Sequence, residues 1–338
     1  MRFFLTLALF LGFAGPAVAD PARLVETAIA EHVLPGFAEL TEQSKALASA
    51  SEASCKPDDA TLRAAYNAAF DAWLAVGHLR FGPTEIDSRG FALTFWPDPR
   101  SKTSKALANL IRTEDVAVED PEVFATLSVA ARGFFALERM LYDPAIQAAG
   151  EESYRCQLTR AIAADIARTS ALIERDWVEG YAPLMLSAGT GNETYATPRE
   201  AVKEFFKSLS SGLQFTSELR LGRPLGTFDR PRPRRAEARL SERSLRNVVL
   251  SVETSRELAS ILAAEFPEID AELATAELRV KEQASELDDP VFASVSDVTG
   301  RLRVEILQQS VDSLRNIIRN QLGPALGVAQ GFNALDGD

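Results

Sequence analysis

The chain has 338 residues, of which 46% are hydrophobic and 8% aromatic, and its formal net charge at pH 7 is −12. A chain this acidic is disfavoured as a binder of nucleic acids or of anionic membranes. It contains only two histidines and two cysteines, and no glycine-rich fingerprint of nucleotide binding. Few residues are therefore left for zinc hydrolysis or for a cysteine nucleophile.

Residues 1–19 have the pattern of an export signal. Arg2 supplies a positive start, an apolar run covers residues 3–13, and the small residues 17–19 form a cleavage site before Asp20. The apolar run is too short to span a bilayer as an ordinary helix, although a retained N-terminal anchor is the alternative. Removal of the signal takes away one arginine and lowers the net charge from −12 to −13. We therefore predict a periplasmic protein with no transmembrane segment in the mature chain.

Alanine, leucine, glutamate and arginine dominate the segments between the prolines and glycines, which is a helical composition. In the first part of the chain we predict helices over residues 21–50 (disturbed at 35–36), 59–81, 101–113, 121–142 and 151–178. The stretch 181–198 is rich in glycine, threonine, serine and asparagine, which predicts a connection. Beyond it we predict helices over residues 199–221, 241–266, 267–286 and 290–321.

These helices predict an all-α fold in which two antiparallel bundles pack together. We assign residues 20–190 to the first bundle half and residues 197–338 to the second, and expect the two halves to form one domain. A basic, proline-rich segment over residues 222–235 cannot be helical throughout. It is either a solvated loop or a rim that attracts an anion or an acidic partner.

Cys55 and Cys156 are the two cysteines of a chain that we expect to be exported. An even pair in an oxidising compartment predicts a disulfide. This bond would close a loop of roughly 100 residues and contribute about 4–5 kcal/mol in the chain-entropy description. The alternatives are two buried thiols and a metal site that uses both sulfurs.

His78 belongs to the helix predicted over residues 59–81. On a helix, Leu74 and His78 share one face. Gly77 would lie inside that helix at a cost of about 1 kcal/mol relative to alanine, and such a glycine usually permits close approach of another helix or a ligand. His78 is therefore either a hydrogen-bonded packing residue or a ligand-binding residue.

Glu138 lies on an otherwise apolar predicted helix. A buried carboxylate must be paired or coordinated, and the candidate partners for an ion pair are Arg132, Arg139 and Arg80. The other interpretation is that Glu138 faces a ligand.

Four segments, spread over nearly the whole mature chain, carry a resemblance to a known family; they are residues 31–37, 73–83, 95–100 and 331–338. Through them the sequence resembles the imelysin-like family of bacterial exported proteins. The resemblance implies an all-helical fold built from two related bundle halves, which agrees with the helices predicted from composition.

The hallmark of that family is a Gly-x-His-x-x-Glu helix, whose His and Glu face one side and could bind a metal. Gly133 and Glu138 match this motif, but Phe135 stands where the His should be. A phenyl ring cannot coordinate a metal, so the metal site that the resemblance implies is damaged in this chain. His78 and His32 are the two histidines that could replace the missing ligand in space.

The resemblance implies two functional classes, metallopeptidases and periplasmic components of iron uptake. Zinc hydrolysis needs about three protein ligands and an open position for water. We therefore expect a non-catalytic binding protein associated with iron or other metal uptake, with a metallopeptidase that has a rearranged site as the alternative. A third hypothesis is an interaction protein that docks on an envelope partner.

We expect the ligand site near the junction of the two bundle halves, where the resemblance places the motif helix and where clefts commonly bind ligands. The candidate ligand or metal residues are Glu138, His78, Arg80 and Glu85, and no residue is assigned a catalytic role. The expected cofactor is iron or another divalent metal. The expected partner is an envelope or metal-uptake protein, and no nucleic acid is expected.

Overall fold

The computed structural model describes residues 20–328. The predicted signal (residues 1–19) and the segment 331–338, which resembles the family's C-terminal end, lie outside this range. Within it the fold is all-α as predicted, since the β-type pairing there is confined to one isolated bridge between Thr227 and Arg230. None of the described helices is long and apolar enough to cross a membrane.

The α-helices of the described residues are numbered in chain order. Those before residue 190 are α1 (Pro21–Ala28), α2 (Leu34–Ala53), α3 (Ala60–Val76), α4 (Arg89–Leu93), α5 (Lys102–Thr113), α6 (Pro121–Phe124), α7 (Gly133–Tyr142), α8 (Pro144–Gln147), α9 (Glu152–Asp176) and α10 (Ala182–Leu186). Those that follow are α11 (Pro198–Gln214), α12 (Gly222–Leu225), α13 (Ser244–Leu262), α14 (Pro267–Ser285), α15 (Val298–Ile317) and α16 (Gly323–Ala325).

Within residues 20–328, four π-helical turns widen helices, and each lies just before a proline. The turns are Ile29–Val33, Trp177–Tyr181, Phe215–Leu221 and Ile318–Leu322, and the prolines are Pro35, Pro183, Pro224 and Pro324. A proline cannot donate a backbone hydrogen bond, and its ring crowds the carbonyl four residues earlier. The helix accommodates this by a wider turn. The sequence predicts a disturbance at residues 35–36, and the first of these turns lies just before them, at Ile29–Val33. The helix then continues as α2 to Ala53.

The helix predicted over residues 59–81 is too long. The corresponding helix, α3, begins after Asp59, whose side chain accepts a hydrogen bond from the backbone N–H of Leu62, and ends at Val76. Gly77 therefore caps the helix instead of lying inside it. His78 lies in the turn beyond the helix, so the predicted helical face that it shares with Leu74 does not form.

The helix predicted over residues 121–142 is broken into α6 and α7. Asp120 caps α6 as expected, but α6 ends at Phe124 and α7 begins only at Gly133. Gly133 has a φ of +72°, a left-handed conformation that disfavours helix continuation and favours glycine. The helix predicted over 290–321 also starts late, at Val298.

Large apolar side chains fill the space around α2, which packs along both α3 and α9. Phe37 on α2 stacks on Trp177 beyond the end of α9, with ring centroids 5.7 Å apart, and both are fully buried. The predicted disulfide between Cys55 and Cys156 is present and joins the end of α2 to the first turns of α9. The bond therefore fixes two helices that already share a core.

The first long helix contacts both parts of the molecule. Its beginning, α1, packs on α11 and α13, whereas its continuation, α2, packs on α3 and α9. The helix α13 also contacts α3. Nearby, the buried Arg243 donates to the side-chain carbonyl of Asn67 at 2.8 Å and bonds the carboxylate of Asp71. The division into halves at 20–190 and 197–338 stays a prediction.

Candidate functional site

Glu138 is held by a residue far away in the sequence. Its Oε1 atom accepts a hydrogen bond from the backbone N–H of Ser241 at 3.0 Å and from the Ser241 hydroxyl at 2.7 Å. The carboxyl is buried, and burial raises its pKa even though the bonds from Ser241 act to lower it. Glu138 is thus a buried acceptor that ties α7 to the loop before α13.

An ion pair between Glu138 and an arginine, one of the two interpretations of this residue, does not form among the described residues, where each candidate arginine bonds another carboxylate. Arg132 binds Asp165 through two hydrogen bonds of 2.8 and 2.9 Å. Arg139 binds Asp143 at 2.7 Å, one helical turn along the chain. The third candidate, Arg80, binds Glu85 in a partly exposed pair.

The packing around Gly133, the glycine of the family motif, leaves no room for a side chain. A Cβ atom on Gly133 would lie 2.1 Å from the carbonyl oxygen of Ala92 and 2.3 Å from that of Leu93. Real side chains do not approach backbone oxygens so closely, and the positive φ disfavours other residues independently. Gly133 therefore lets α7 begin against the end of α4.

A pocket of about 240 Å³ lies beside Glu138, and we call it the Glu138 pocket. The motif helix contributes Phe135, Glu138 and Arg139, and the segment before α5 contributes Trp96 and Asp98. The rest of the polar lining comes mainly from four further arginines, which are Arg223, Arg234, Arg235 and Arg239. The position at which the family motif has its His is apolar in this chain, because Phe135 packs on Trp96 with ring centroids 6.4 Å apart.

His32 and His78 form a buried pair. Their Nε2 atoms are 3.2 Å apart, a hydrogen bond in which either ring is the donor. His32 lies in the first π-helical turn, and its Nδ1 atom is 4.0 Å from the carboxylate of Glu257. Close approach of α11 to His78 is permitted by Gly212, since a Cβ there would lie 2.8 Å from the Cβ of His78.

Both imidazoles are neutral near pH 7. Burial lowers the pKa of His32 to about 4. Burial also holds the pKa of His78 well below its ordinary value, with a further lowering from His32 and Arg220. One ring can therefore donate the shared proton while the other offers a lone pair, and the Nδ1 atom of His78 has no hydrogen-bond partner within residues 20–328.

A larger cavity, of about 480 Å³, is lined by His78, and we call it the His78 cavity. Arg80 and Glu85 also line it, so three of the four predicted site residues share this space. The fourth, Glu138, lines the Glu138 pocket instead. Trp96 lines both spaces, which makes them neighbours.

The donor set in the described part of the chain does not form a complete metal site. No group of three or more His, Cys, Asp and Glu side chains there is arranged to hold an ion. At the motif position, Phe135 replaces the His and Glu138 is engaged by Ser241. The residues beside Glu138 thus do not fit a metal, whereas His32 and His78 supply two neutral nitrogen donors.

Comparison with known proteins agrees with this fold. The model of the family described as Imelysin matches residues 33–318. The chain belongs to the imelysin family. No curated protein matches the sequence.

Two crystal structures share the imelysin-type fold of this chain. One is an imelysin-like protein from Psychrobacter arcticum 273-4, with a TM-score of 0.78, 19% identity, and coverage of 94% of this chain and 99% of that protein. The other is a candidate iron-regulated protein A precursor from Parabacteroides distasonis ATCC 8503, with a TM-score of 0.76, 14% identity, and coverage of 94% and 96%. At these identities the likeness establishes the fold.

Several residues of this imelysin site could not be identified from the sequence. The pairing of His32 with His78 depends on a π-helical turn and on the early end of α3. Ser241 lies 103 residues from Glu138, in a loop without periodicity. The basic, proline-rich segment is the one sequence signal for the arginines, and it does contribute Arg223, Arg234 and Arg235 to the Glu138 pocket.

Proposed function

We propose that this imelysin-family protein is a non-catalytic binding protein of the cell envelope that serves the uptake of iron or another metal. The observation that carries the proposal is the pair of buried, neutral imidazoles of His32 and His78, whose Nε2 atoms are 3.2 Å apart. His78, though not His32, lines a cavity of about 480 Å³. Neutral imidazole is the form that binds metals.

The spacing of the two nitrogens suits one shared ion. Two nitrogen atoms that each lie 2.0–2.1 Å from a tetrahedral ion are about 3.3 Å apart. An ion between the rings would take the place of the shared proton. Glu257, near the Nδ1 atom of His32, is the kind of carboxylate that orients a metal-binding ring. The remaining coordination positions would be filled by water or by donors of the incoming ligand.

The same donor count argues against the alternative, a metallopeptidase with a rearranged site. A hydrolytic zinc site uses about three protein ligands, an open position for water and a nearby base. The described residues offer two histidines and no third ligand grouped with them. Glu138, the motif carboxylate, lines the neighbouring pocket and accepts from Ser241.

The envelope location and the role in uptake rest on two supports. The first is the export pattern of residues 1–19. The second is the iron-regulated protein A precursor, whose fold this chain shares. A binding protein in this location would deliver its cargo to an envelope or metal-uptake partner. No nucleic acid is expected as a partner of so acidic a chain.

Metal analysis and a cleavage assay together test this function. Protein exported to the periplasm and purified without chelator should contain iron or another transition metal, and His78→Gln protein prepared in parallel should contain much less. Neither protein should cleave casein or insulin. Cleavage that a chelator abolishes, and that is lost in Glu138→Ala, would instead establish the metallopeptidase.

A further inference from the structure

We infer that the Glu138 pocket binds a small oxyanion with several carboxylate or phosphate groups. The pocket is lined by Arg139 and by four arginines without carboxylate partners in the described residues, and it is distinct from the His32–His78 pair. The inference goes beyond the proposed metal role and does not depend on it.

The acidic side chains of the pocket are already engaged by other groups. The two carboxylate oxygens of Asp98 accept hydrogen bonds from the backbone N–H groups of Lys102 and Thr103, each at 2.8 Å. Burial acts to raise the pKa of Asp98, but these bonds hold it below its ordinary value. Glu138 accepts both bonds from Ser241. Neither carboxylate lies within ion-pair distance of an arginine of the pocket.

The four arginines have no such partner within the described range. Arg223, Arg234, Arg235 and Arg239 all lack a salt bridge there, in a chain whose acidic residues outnumber its basic ones by 48 to 36. The other arginine of the pocket, Arg139, is bound to Asp143. A cluster of unpaired positive charge in an otherwise acidic protein attracts anions.

Arg223 is the residue that points most directly to a ligand. Its Nε atom is buried without a hydrogen-bond partner among the described residues, and its guanidinium lies 5.6 Å from the ring centroid of Trp96. Burial lowers its pKa, and the nearby charge of Arg235 lowers it further. An anion between Arg223 and Arg235 would relieve this repulsion and accept hydrogen bonds from their terminal guanidinium N–H groups, which match carboxylate and phosphate oxygens in pairs.

The loop that carries Arg234, Arg235 and Arg239 is fixed at several points, so the backbone that places these arginines is set before a ligand arrives. Glu237 accepts from Arg220 at 2.7 Å and from Asn247 at 2.9 Å, and it is buried. Ser241 is bound to Glu138, and the buried Arg243 is bound to Asp71. A preorganised site loses less affinity to the ordering of its own side chains.

Calorimetric titration in metal-free buffer tests the inference, with citrate and pyrophosphate as carboxylate and phosphate probes and glycerol as a neutral one. Wild type should bind at least one anionic probe and not glycerol, and the stronger probe identifies the source of the oxyanion. Arg223→Ala and Arg235→Ala should each weaken binding about tenfold or more. The matched control is Arg230→Ala. Arg230 is exposed on the same loop and does not line the pocket, so the affinity of this variant for the anion should stay within about twofold of wild type.

Three results would overturn the inference. The first is the absence of binding of both anions by wild type at millimolar concentration. The second is an equal loss in Arg230→Ala and Arg235→Ala, which would mean general attraction by the loop. The third is unchanged binding in Arg235→Ala and in the doubly neutralised Arg223→Gln/Arg235→Gln protein, both checked for a wild-type circular dichroism spectrum. Because no metal is present, a failure of the metal role cannot cause any of these results.

Discussion

The Oε1 atom of Glu138 accepts two hydrogen bonds from Ser241, one from its backbone N–H and one from its hydroxyl. The two residues are 103 positions apart, and they join the motif helix α7 to the loop that carries Arg234, Arg235 and Arg239 of the Glu138 pocket. The carboxylate at the motif position therefore joins these two segments in this chain, where Phe135 stands at the position of the motif's His.

Glu138→Ala should lower the free energy of unfolding by about 1–3 kcal/mol, because it removes the acceptor of the partly buried Ser241 N–H and leaves the Ser241 hydroxyl with only the Ala238 carbonyl as an acceptor. Glu138→Gln keeps a carbonyl acceptor and should cost less. Ser241→Ala combined with Glu138→Ala should cost less than the sum of the two single changes. Urea unfolding of these variants and wild type measures this, and strictly additive losses would show that the two side chains do not stabilise the fold through each other.

Gly133→Ala should destabilise the protein by about 2 kcal/mol or more, because it combines a left-handed backbone with overpacking against a carbonyl. The matched control is Gly180→Ala, where a Cβ would meet nothing within 4 Å and the free energy of unfolding should change by less than about 1 kcal/mol. Thermal melts of both variants give the comparison. Equal stability of the two variants would contradict the close contact of α7 with the end of α4.

Removal of the disulfide should lower the free energy of unfolding by about 2–5 kcal/mol. The double variant Cys55→Ser/Cys156→Ser tests this in non-reducing buffer, and wild type in reducing buffer should approach the same stability. Peptide mapping of exported protein under non-reducing conditions should recover Cys55 and Cys156 in one linked peptide pair. Recovery of both thiols in the free form would contradict the prediction.

The His32–His78 pair makes stability depend on pH. Burial lowers the pKa of His32 from 6.5 to about 4 and that of His78 well below 6.5. As the pH falls below 6.5, the unfolded chain takes up protons that the folded protein does not, so stability is lost on acidification and is fully present above this range. Each histidine should contribute a loss on the order of 1–2 kcal/mol between about pH 6.5 and pH 5.

Urea unfolding at pH 7 and at pH 5 measures that loss. The double variant His32→Gln/His78→Gln should be less sensitive to pH over the same interval, whatever its stability at pH 7. Equal pH dependence of the variant and wild type would mean that the folded imidazoles take up protons as readily as those of the unfolded chain, and it would contradict the lowered pKa values of the pair.

The helical fold could be predicted because composition and apolar spacing are local properties, and the tertiary contacts of this chain agree with them. Asp120 illustrates this agreement, since a capping side chain acts within one turn of helix. The disulfide could also be predicted, because a chain with two cysteines and an export pattern allows only one intramolecular pairing.

The contacts within the site could be predicted less well from the sequence, because irregular backbone segments bring its residues together. His32 reaches His78 from a π-helical turn, and His78 lies beyond a helix that ends five residues earlier than the sequence suggests. The approach of α11 also depends on Gly212. None of these features has a periodic signal. The sequence therefore indicates His78 as a candidate, but the candidate arginine partners that it suggests for Glu138 bond other carboxylates instead.

Calorimetric titration with ferrous, ferric and zinc ions tests the central claim most directly, using wild type, His78→Gln and Glu138→Gln. We predict that wild type binds at least one of these ions, that His78→Gln binds it much more weakly, and that Glu138→Gln binds it as wild type does. The claim would be contradicted if wild type bound none of the three ions, or if binding were lost in Glu138→Gln and kept in His78→Gln.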